Sequence, residues 1–262
     1  MPKFSTTNIA VRGCSIRLMR GGAGDALLYL HGASGASWLP VLQKLAQDYD
    51  VIAPEHPGFG ESDTPDWLDN IHDLAYFYLD FLDELKLSGV HLVGNSLGGW
   101  IAAELAVRNT VPLASLTLSD AAGLHVPGVA QMDAFLGSDE DRLRKFFYDP
   151  KLAEEMIARI LNPDLQDIAL KNRATVARLV WQPRDHDPHL SKWLHRIDVP
   201  TLLVWGDHDR LFPLEHARAY LKLIPGAKLV IVPQCGHVPQ IEKPNDFVAA
   251  FEAFVGAQKK AA

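Results

Sequence analysis

The chain has 262 residues, of which 48% are hydrophobic and 22% charged, with a formal net charge of −7; these near-average values exclude collagen-like and disordered classes and allow one sizeable core. The acidic balance repels phosphate backbones and offers anionic membranes no polybasic patch, so neither nucleic acid nor a membrane is an expected partner. Cys14 and Cys235 are the only cysteines, without zinc-ligand or disulfide-framework spacing, and they read as free thiols. The opening MPKFSTTNIAVRG lacks the apolar run of a signal peptide, and no stretch of about eighteen apolar residues follows it. The expectation is a cytoplasmic protein acting on a small molecule, with no metal and no cofactor, and a homodimer as the candidate assembly.

Along the chain, Ile9 to Met19 reads as a β-hairpin turning at Arg12-Gly13, at a sheet edge. Ala26 to Leu30 is a short continuous apolar run, as expected of a strand buried on both faces. Helical spacing of Trp38, Leu39, Val41, Leu42, Leu45 and Ala46 follows, then a strand at Tyr49–Ala53 stopping at Pro54. The stretch Ile71 to Leu87 predicts an amphipathic helix with Leu74, Phe77, Tyr78, Phe81, Leu82 and Leu85 on one side. Val90–Val93 predicts a strand, Leu97–Arg108 a helix, Leu113–Leu118 a strand, and Thr201–Trp205 and Lys228–Val232 two more. Such alternation makes a mostly parallel central sheet flanked by helices, because right-handed crossovers place helices on both faces. Between Asp120 and Pro200 the alternation stops, and the segment is charged, helix-prone and punctuated by Pro127, Pro150, Pro163, Pro183 and Pro188. The expected organisation is an α/β core of residues 1–120 and 200–262 with a helical cap, 121–199, overhanging the crevice at the carboxyl ends of the strands.

The sharpest local signal is Gly94-Asn95-Ser96-Leu97-Gly98-Gly99, set between a predicted strand and a predicted helix. A bare GxSxG recurs by chance, but this context matches a strained turn that exposes a serine hydroxyl at a helix N-terminus. The plainer alternative is a glycine-rich turn that packs a helix closely on a strand. A serine hydroxyl needs a base, and the base needs an orienting carboxylate. Of eleven histidines, His237 follows the last strand, where its loop can reach back over the sheet edge. His31 reads as a brace for its loop, and His56 as either crevice wall or exposed loop. For the acid, Asp209 lies far enough beyond its strand to turn toward His237, Asp207 more naturally caps a turn, and Asp120 at an earlier strand end is the fallback. The order Ser, Asp, His is that of an α/β-hydrolase nucleophile elbow.

His31-Gly32, Pro57-Gly58-Phe59-Gly60-Glu61-Ser62, Gly94 through Gly99, Gly206 through Pro213, and Gly236-His237-Val238-Pro239 followed by Glu242 and Pro244 together resemble the α/β-hydrolase fold family over nearly the whole chain. The resemblance implies a triad of Ser96, Asp209 and His237, and an oxyanion hole from the backbone N–H groups of Leu97 and Ala33, with Ser34 beside it. Relatives with an aspartate nucleophile, such as haloalkane dehalogenases and epoxide hydrolases, are disfavoured by Ser96, and Glu55 stands where family members usually carry Asp. Asn95 is similar to the GNSMGG elbow of meta-cleavage-product hydrolases, which cut carbon–carbon bonds, but those carry a tryptophan after the histidine where this chain has Val238.

Candidate substrate contacts are Ser34, Asn95, Trp181, Arg173 and Val238, with Arg184 and His186 as further cap groups that could meet a substrate carboxylate. Trp38, Trp100, Phe135, Phe146, Phe147 and Trp181 could line an apolar pocket or be ordinary core. The expected function is hydrolysis of a small carboxylic ester or related carbonyl compound through an acyl-enzyme, with activity rising through roughly pH 6 to 7 as the base loses its proton. The alternatives are a carbon–carbon hydrolase and a non-catalytic small-molecule receptor on the same fold.

Overall fold

In the computed structural model, which describes residues 3–260, eight strands form one sheet in the order β1-β2-β4-β3-β5-β6-β7-β8. β1 (Phe4–Val11) and β2 (Cys14–Gly21) pair antiparallel along their full length, from Phe4 opposite Gly21 to Val11 opposite Cys14. The hairpin is therefore longer than the pattern from Ile9 to Met19 indicates. Its turn places both Arg12 and Gly13 at positive φ, the backbone twist that a two-residue hairpin needs. β2 also runs antiparallel to β4 (Tyr49–Pro54). From there the sheet is parallel: β4 to β3 (Asp25–Leu30), β3 to β5 (Val90–Asn95), then β6 (Leu113–Ser119), β7 (Thr201–Gly206) and β8 (Lys228–Val232).

Alternate residues of the central strands feed two cores. Leu28 and Leu30 of β3 and Leu203 and Trp205 of β7 pack with apolar residues of α2 (Ile71–Glu84), α3 (Leu97–Arg108) and α7 (Leu214–Leu223). Leu27, Tyr29, Leu202 and Val204 point the other way, onto α1 (Pro40–Leu45) and α9 (Pro244–Lys259). The period of two along each strand thus divides one sheet between two helical layers. Three helices beyond those expected, α7, α8 (Pro239–Glu242) and α9, complete the architecture; α9 buries Phe247, Phe251, Phe254 and Val255. α2 begins on a reciprocal cap, Asn70 accepting from the Asp73 N–H while the Asp73 carboxylate accepts from Asn70 N–H.

Between β6 and β7 the helices are α4 (Asp139–Phe146), α5 (Pro150–Ile160) and α6 (Gln166–Val180), with one short 3₁₀ turn between α5 and α6 and two after α6. An isolated bridge, Gly123 with His186, ties the two ends of this insertion together. Because the strands from β3 onward are parallel, the loops carrying His31, Ser96, Asp120, Asp209 and His237 all leave from one edge. Among the described residues no helix is long and apolar enough to cross a membrane. Cys14 and Cys235 are both buried, unbridged thiols.

Candidate active site

Ser96 links β5 to α3 at φ 54° and ψ −116°, a conformation costly for a residue with a side chain. The surrounding contacts impose it. Ser96 N–H donates to the Ser119 carbonyl at 2.9 Å, and the Ser96 carbonyl accepts from Trp100 and Ala122 N–H, each at 3.1 Å. Gly98 lets α3 start this close to the neighbouring strand, since a Cβ there would lie 2.1 Å from the Leu30 carbonyl oxygen. Leu97 is the first helical residue, so its N–H has no acceptor within α3.

His237 is carried on the loop after β8, and its backbone N–H donates to the Phe146 carbonyl of α4 at 2.7 Å. Its Nε2 lies 2.8 Å from Ser96 Oγ and its Nδ1 lies 2.9 Å from Asp209 Oδ2. Asp209 Oδ1 in turn accepts from the N–H groups of Leu211 at 2.8 Å and Phe212 at 3.1 Å, fixing the carboxylate's plane. With Nδ1 facing a carboxylate that only accepts, the ring donates there and leaves Nε2 to accept from the serine hydroxyl. All three residues are buried, and the rings of Phe146 and Phe212 flank the imidazole with centroids 5.1 and 5.6 Å away.

Asp207 takes a turn-holding position, accepting from Cys235 N–H at 3.1 Å and contacting His208 Nδ1. Asp120 enters the same buried region: its carboxylate, that of Asp209 and the ring of His237 place ligand-type atoms within 4.8 Å of one another. Burial, followed by the adjacent Asp209 charge, holds the Asp120 carboxyl well above the usual range.

His31 braces its loop, and His56, fully buried beside it, is neither crevice wall nor exposed loop. His56 N–H donates to His31 Nε2 at 3.0 Å, His56 Nε2–H donates to the His31 carbonyl at 2.9 Å, and His31 Nδ1–H donates to the Gly32 carbonyl at 2.7 Å. The Tyr78 hydroxyl meets the remaining His56 Nδ1. Burial pushes His31 down to about 4 and His56 well below its ordinary value, so both rings are neutral braces. They fix the loop that carries Gly32 and Ala33. A Cβ on Gly32 would be 3.1 Å from Asn95 Oδ1 and 3.3 Å from Ser96 Cβ, which sets this loop directly against the serine.

From the insertion, the Asn172 side chain accepts from Gly60 N–H at 2.8 Å and donates to the Ser34 carbonyl at 3.3 Å, bridging two loops of the core. Neither Asn172 nor Phe146 carries a sequence signal that predicts these contacts. Asn95 is buried and donates to the Ser119 carbonyl at 3.2 Å. Val238 packs with Leu143, Phe147, Ala153 and Ile157 of the insertion. The arginines of the insertion are already engaged. Arg173 is half-exposed and pairs with Asp139 at 2.7 Å, while Arg184 pairs with Asp133 at 2.7 Å and stacks on Phe135 and on Trp181, itself 54% exposed. His186 Nδ1 meets the Arg184 carbonyl.

Two clusters among the described residues have metal-ligand composition, Asp120 with Asp209 and His237, and His72 with Glu104 and Asp187. In both, the imidazole already bonds to a carboxylate, at 2.9 Å in each case.

The sequence profile described as the alpha/beta hydrolase family matches residues 27–251. The dihydrolipoyllysine-residue acetyltransferase component of the acetoin cleaving system of Cupriavidus necator is 28% identical over 256 residues, covering 94% of this chain and 68% of that protein. A 2-hydroxy-6-oxo-6-(2'-aminophenyl)hexa-2,4-dienoic acid hydrolase of Metapseudomonas resinovorans is 29% identical over 93% of this chain and 88% of its own. Lipase 1 of Psychrobacter immobilis is 27% identical over 88% of this chain and 77% of its own. Among solved structures, a membrane phospholipase A described as a bacterial virulence factor superposes with a TM-score of 0.80 at 27% identity, covering 97% of this chain and 86% of that one.

Proposed function

The chain belongs to the alpha/beta hydrolase family, and from that premise we propose that it is a serine hydrolase that cleaves a small carboxylic ester through an acyl-enzyme on Ser96. The observation that carries this reading is the relay from Asp209 Oδ2 through both nitrogens of His237 to Ser96 Oγ, at 2.9 and 2.8 Å, on a turn strained to present the hydroxyl. His237 removes the serine proton as Oγ attacks the carbonyl carbon, and Asp209 stabilises the imidazolium that results. The N–H groups of Leu97 and Ala33 hold the oxyanion, with the Leu97 donor at the positive end of α3. His237 then hands its proton to the leaving alcohol, and water, activated by the same imidazole, releases the acid.

In this reading the insertion, residues 121–199, is a lid. Phe146 on the His237 ring and Asn172 between Ser34 and Gly60 support it, because both fix groups at the strand edge from above.

Carbon–carbon cleavage is the second reading, favoured by the Metapseudomonas relative and by Asn95 in the elbow. It needs a cation for the substrate carboxylate. Arg173 and Arg184, the cap arginines considered for that task, are each held by an aspartate of the insertion, and Val238 lies among apolar side chains. Ester hydrolysis makes no such demand.

The test is turnover of short p-nitrophenyl esters by wild type and Ser96→Ala. The expected result is hydrolysis by wild type and a loss of roughly 10⁴- to 10⁶-fold in kcat on removing the hydroxyl. Equal rates from both proteins, or none from wild type, contradict the proposal, and the latter outcome favours a binding protein on this fold.

A further inference from the structure

Beside the relay lies a second carboxyl that the reaction outlined above does not use. Asp120 closes β6 at φ 43°, a left-handed conformation uncommon for a side-chain-bearing residue, with its N–H held by the Val204 carbonyl at 3.1 Å. Its side chain is fully buried, as is that of Asp209, and the oxygens of both carboxyls fall with a His237 nitrogen inside a 4.8 Å cluster.

Two carboxylates this close in a dry site do not both ionise; one takes a proton and donates it to the other. The donors around them decide which. Asp209 accepts three hydrogen bonds, from Leu211 and Phe212 N–H and from His237 Nδ1–H. Asp120 has one backbone donor, Gly206 N–H at 3.0 Å on Oδ1, and the Ser119 hydroxyl at 3.2 Å on Oδ2. The anion is better stabilised on Asp209. Of the other titratable groups nearby, the buried His216 imidazole is held below its ordinary value and the Cys235 thiol above its own, chiefly by desolvation, so the ring brings no positive charge to support a second anion and the thiol stays uncharged. Among the described residues no lysine or arginine forms an ion pair with either aspartate.

We propose that Asp120 is a positioning residue for the reaction proposed above, a neutral carboxylic acid whose proton is donated to Asp209 so that Asp209 alone faces His237 as an anion. The bond adds a further anchor on Asp209 to those from Leu211 and Phe212 N–H. It also draws charge away from the oxygen that meets the imidazole, setting how strongly His237 holds its proton.

Two measurements on the full chain test this. Infrared difference spectra of wild type against Asp120→Asn at neutral pH are expected to show a protonated-carboxyl C=O band that only wild type has; its absence overturns the proposal, whatever the kinetics. On p-nitrophenyl acetate, Asp120→Ala is expected to lower kcat about 10- to 100-fold, the typical worth of a hydrogen bond to a charged group, with KM little changed. Its acidic limb of kcat/KM should move to higher pH, because an undamped Asp209 holds the imidazolium proton more tightly. Asp120→Asn keeps both the acceptor for Gly206 and a donor for Asp209, and is expected to restore most of the rate and the original limb. An Asn variant as impaired as the Ala variant means that Asp120 acts as an anion, and an unmoved limb in the Ala variant means that it merely supports Gly206; either result overturns the proposal. If Ser96→Ala leaves esterase activity intact, the reaction itself is misassigned, and the infrared band still reports the state of Asp120 independently.

Discussion

His31 and His237 leave the same edge of the same sheet, 4% and 2% exposed, and they are prepared for different work. The Nδ1 of His237 faces the carboxylate of Asp209, which in the proposed reaction stabilises a positive ring at the moment a proton is taken. The Nδ1 of His31 faces the Gly32 carbonyl and its Nε2 faces a backbone N–H, so both nitrogens are satisfied by a neutral ring and burial keeps it neutral down to about 4. Burial is common to the two. What separates the proposed base from the brace is the charge and direction of the groups they meet.

That contrast makes graded predictions. The largest effect belongs to the relay: His237→Gln is expected to lower esterase kcat by roughly 10⁴- to 10⁶-fold while the thermal midpoint stays near that of wild type. A variant that keeps its rate would erase the distinction between the two histidines. The brace should respond in the opposite manner. His56→Phe fills the volume but leaves the His31 carbonyl and the Tyr78 hydroxyl without their partner, and should cost about 2 kcal/mol of stability in urea unfolding, with a smaller loss of rate as the loop at Gly32 loosens. Unchanged stability would show that the stacked pair, with ring centroids 3.7 Å apart, is dispensable.

A third histidine extends the comparison to the surface. His72 contacts Glu104 of α3 and Asp187 of the insertion, at 3.6 and 2.9 Å, and these carboxylates, Glu104 foremost, raise it to about 9. A histidine raised on folding contributes fully below its unfolded value near 6.5, and the contribution fades as pH rises through about 9. The ring is 43% exposed, so screening limits the effect to about 1 kcal/mol. The stability gap between wild type and His72→Gln is expected to narrow between pH 6.5 and 9; a gap independent of pH would mean that the contact carries no charge.

The same difference between backbone and partner explains what the sequence made legible. The elbow is written in its own residues, because only glycine fits at position 98 against the Leu30 carbonyl and because strand and helix flank it in the chain. The inner parallel strands are readable for a related reason, as short apolar runs whose two faces both meet helices, whereas β8 at the edge leaves Val230 and Ile231 exposed. Helices α7 and α9 are harder to read, since neither lies in a strand–helix–strand repeat ended by a further central strand, and the spaced phenylalanines of α9 resemble ordinary core. Partner choice is the least legible layer. Nothing local in Arg184 announces that Asp133, 51 positions earlier, holds it, nor in Asp120 that it would lie beside Asp209. Such pairings depend on how the insertion and the strand ends meet, which no local pattern encodes.

The account rests on Ser96 being the group that His237 activates, and covalent labelling reads this most directly. Wild type treated with a fluorophosphonate and mapped by peptide mass spectrometry is predicted to carry one adduct, on the peptide containing Ser96, with His237→Gln unlabelled under the same conditions. An adduct on another residue, or equal labelling of the variant, would contradict it.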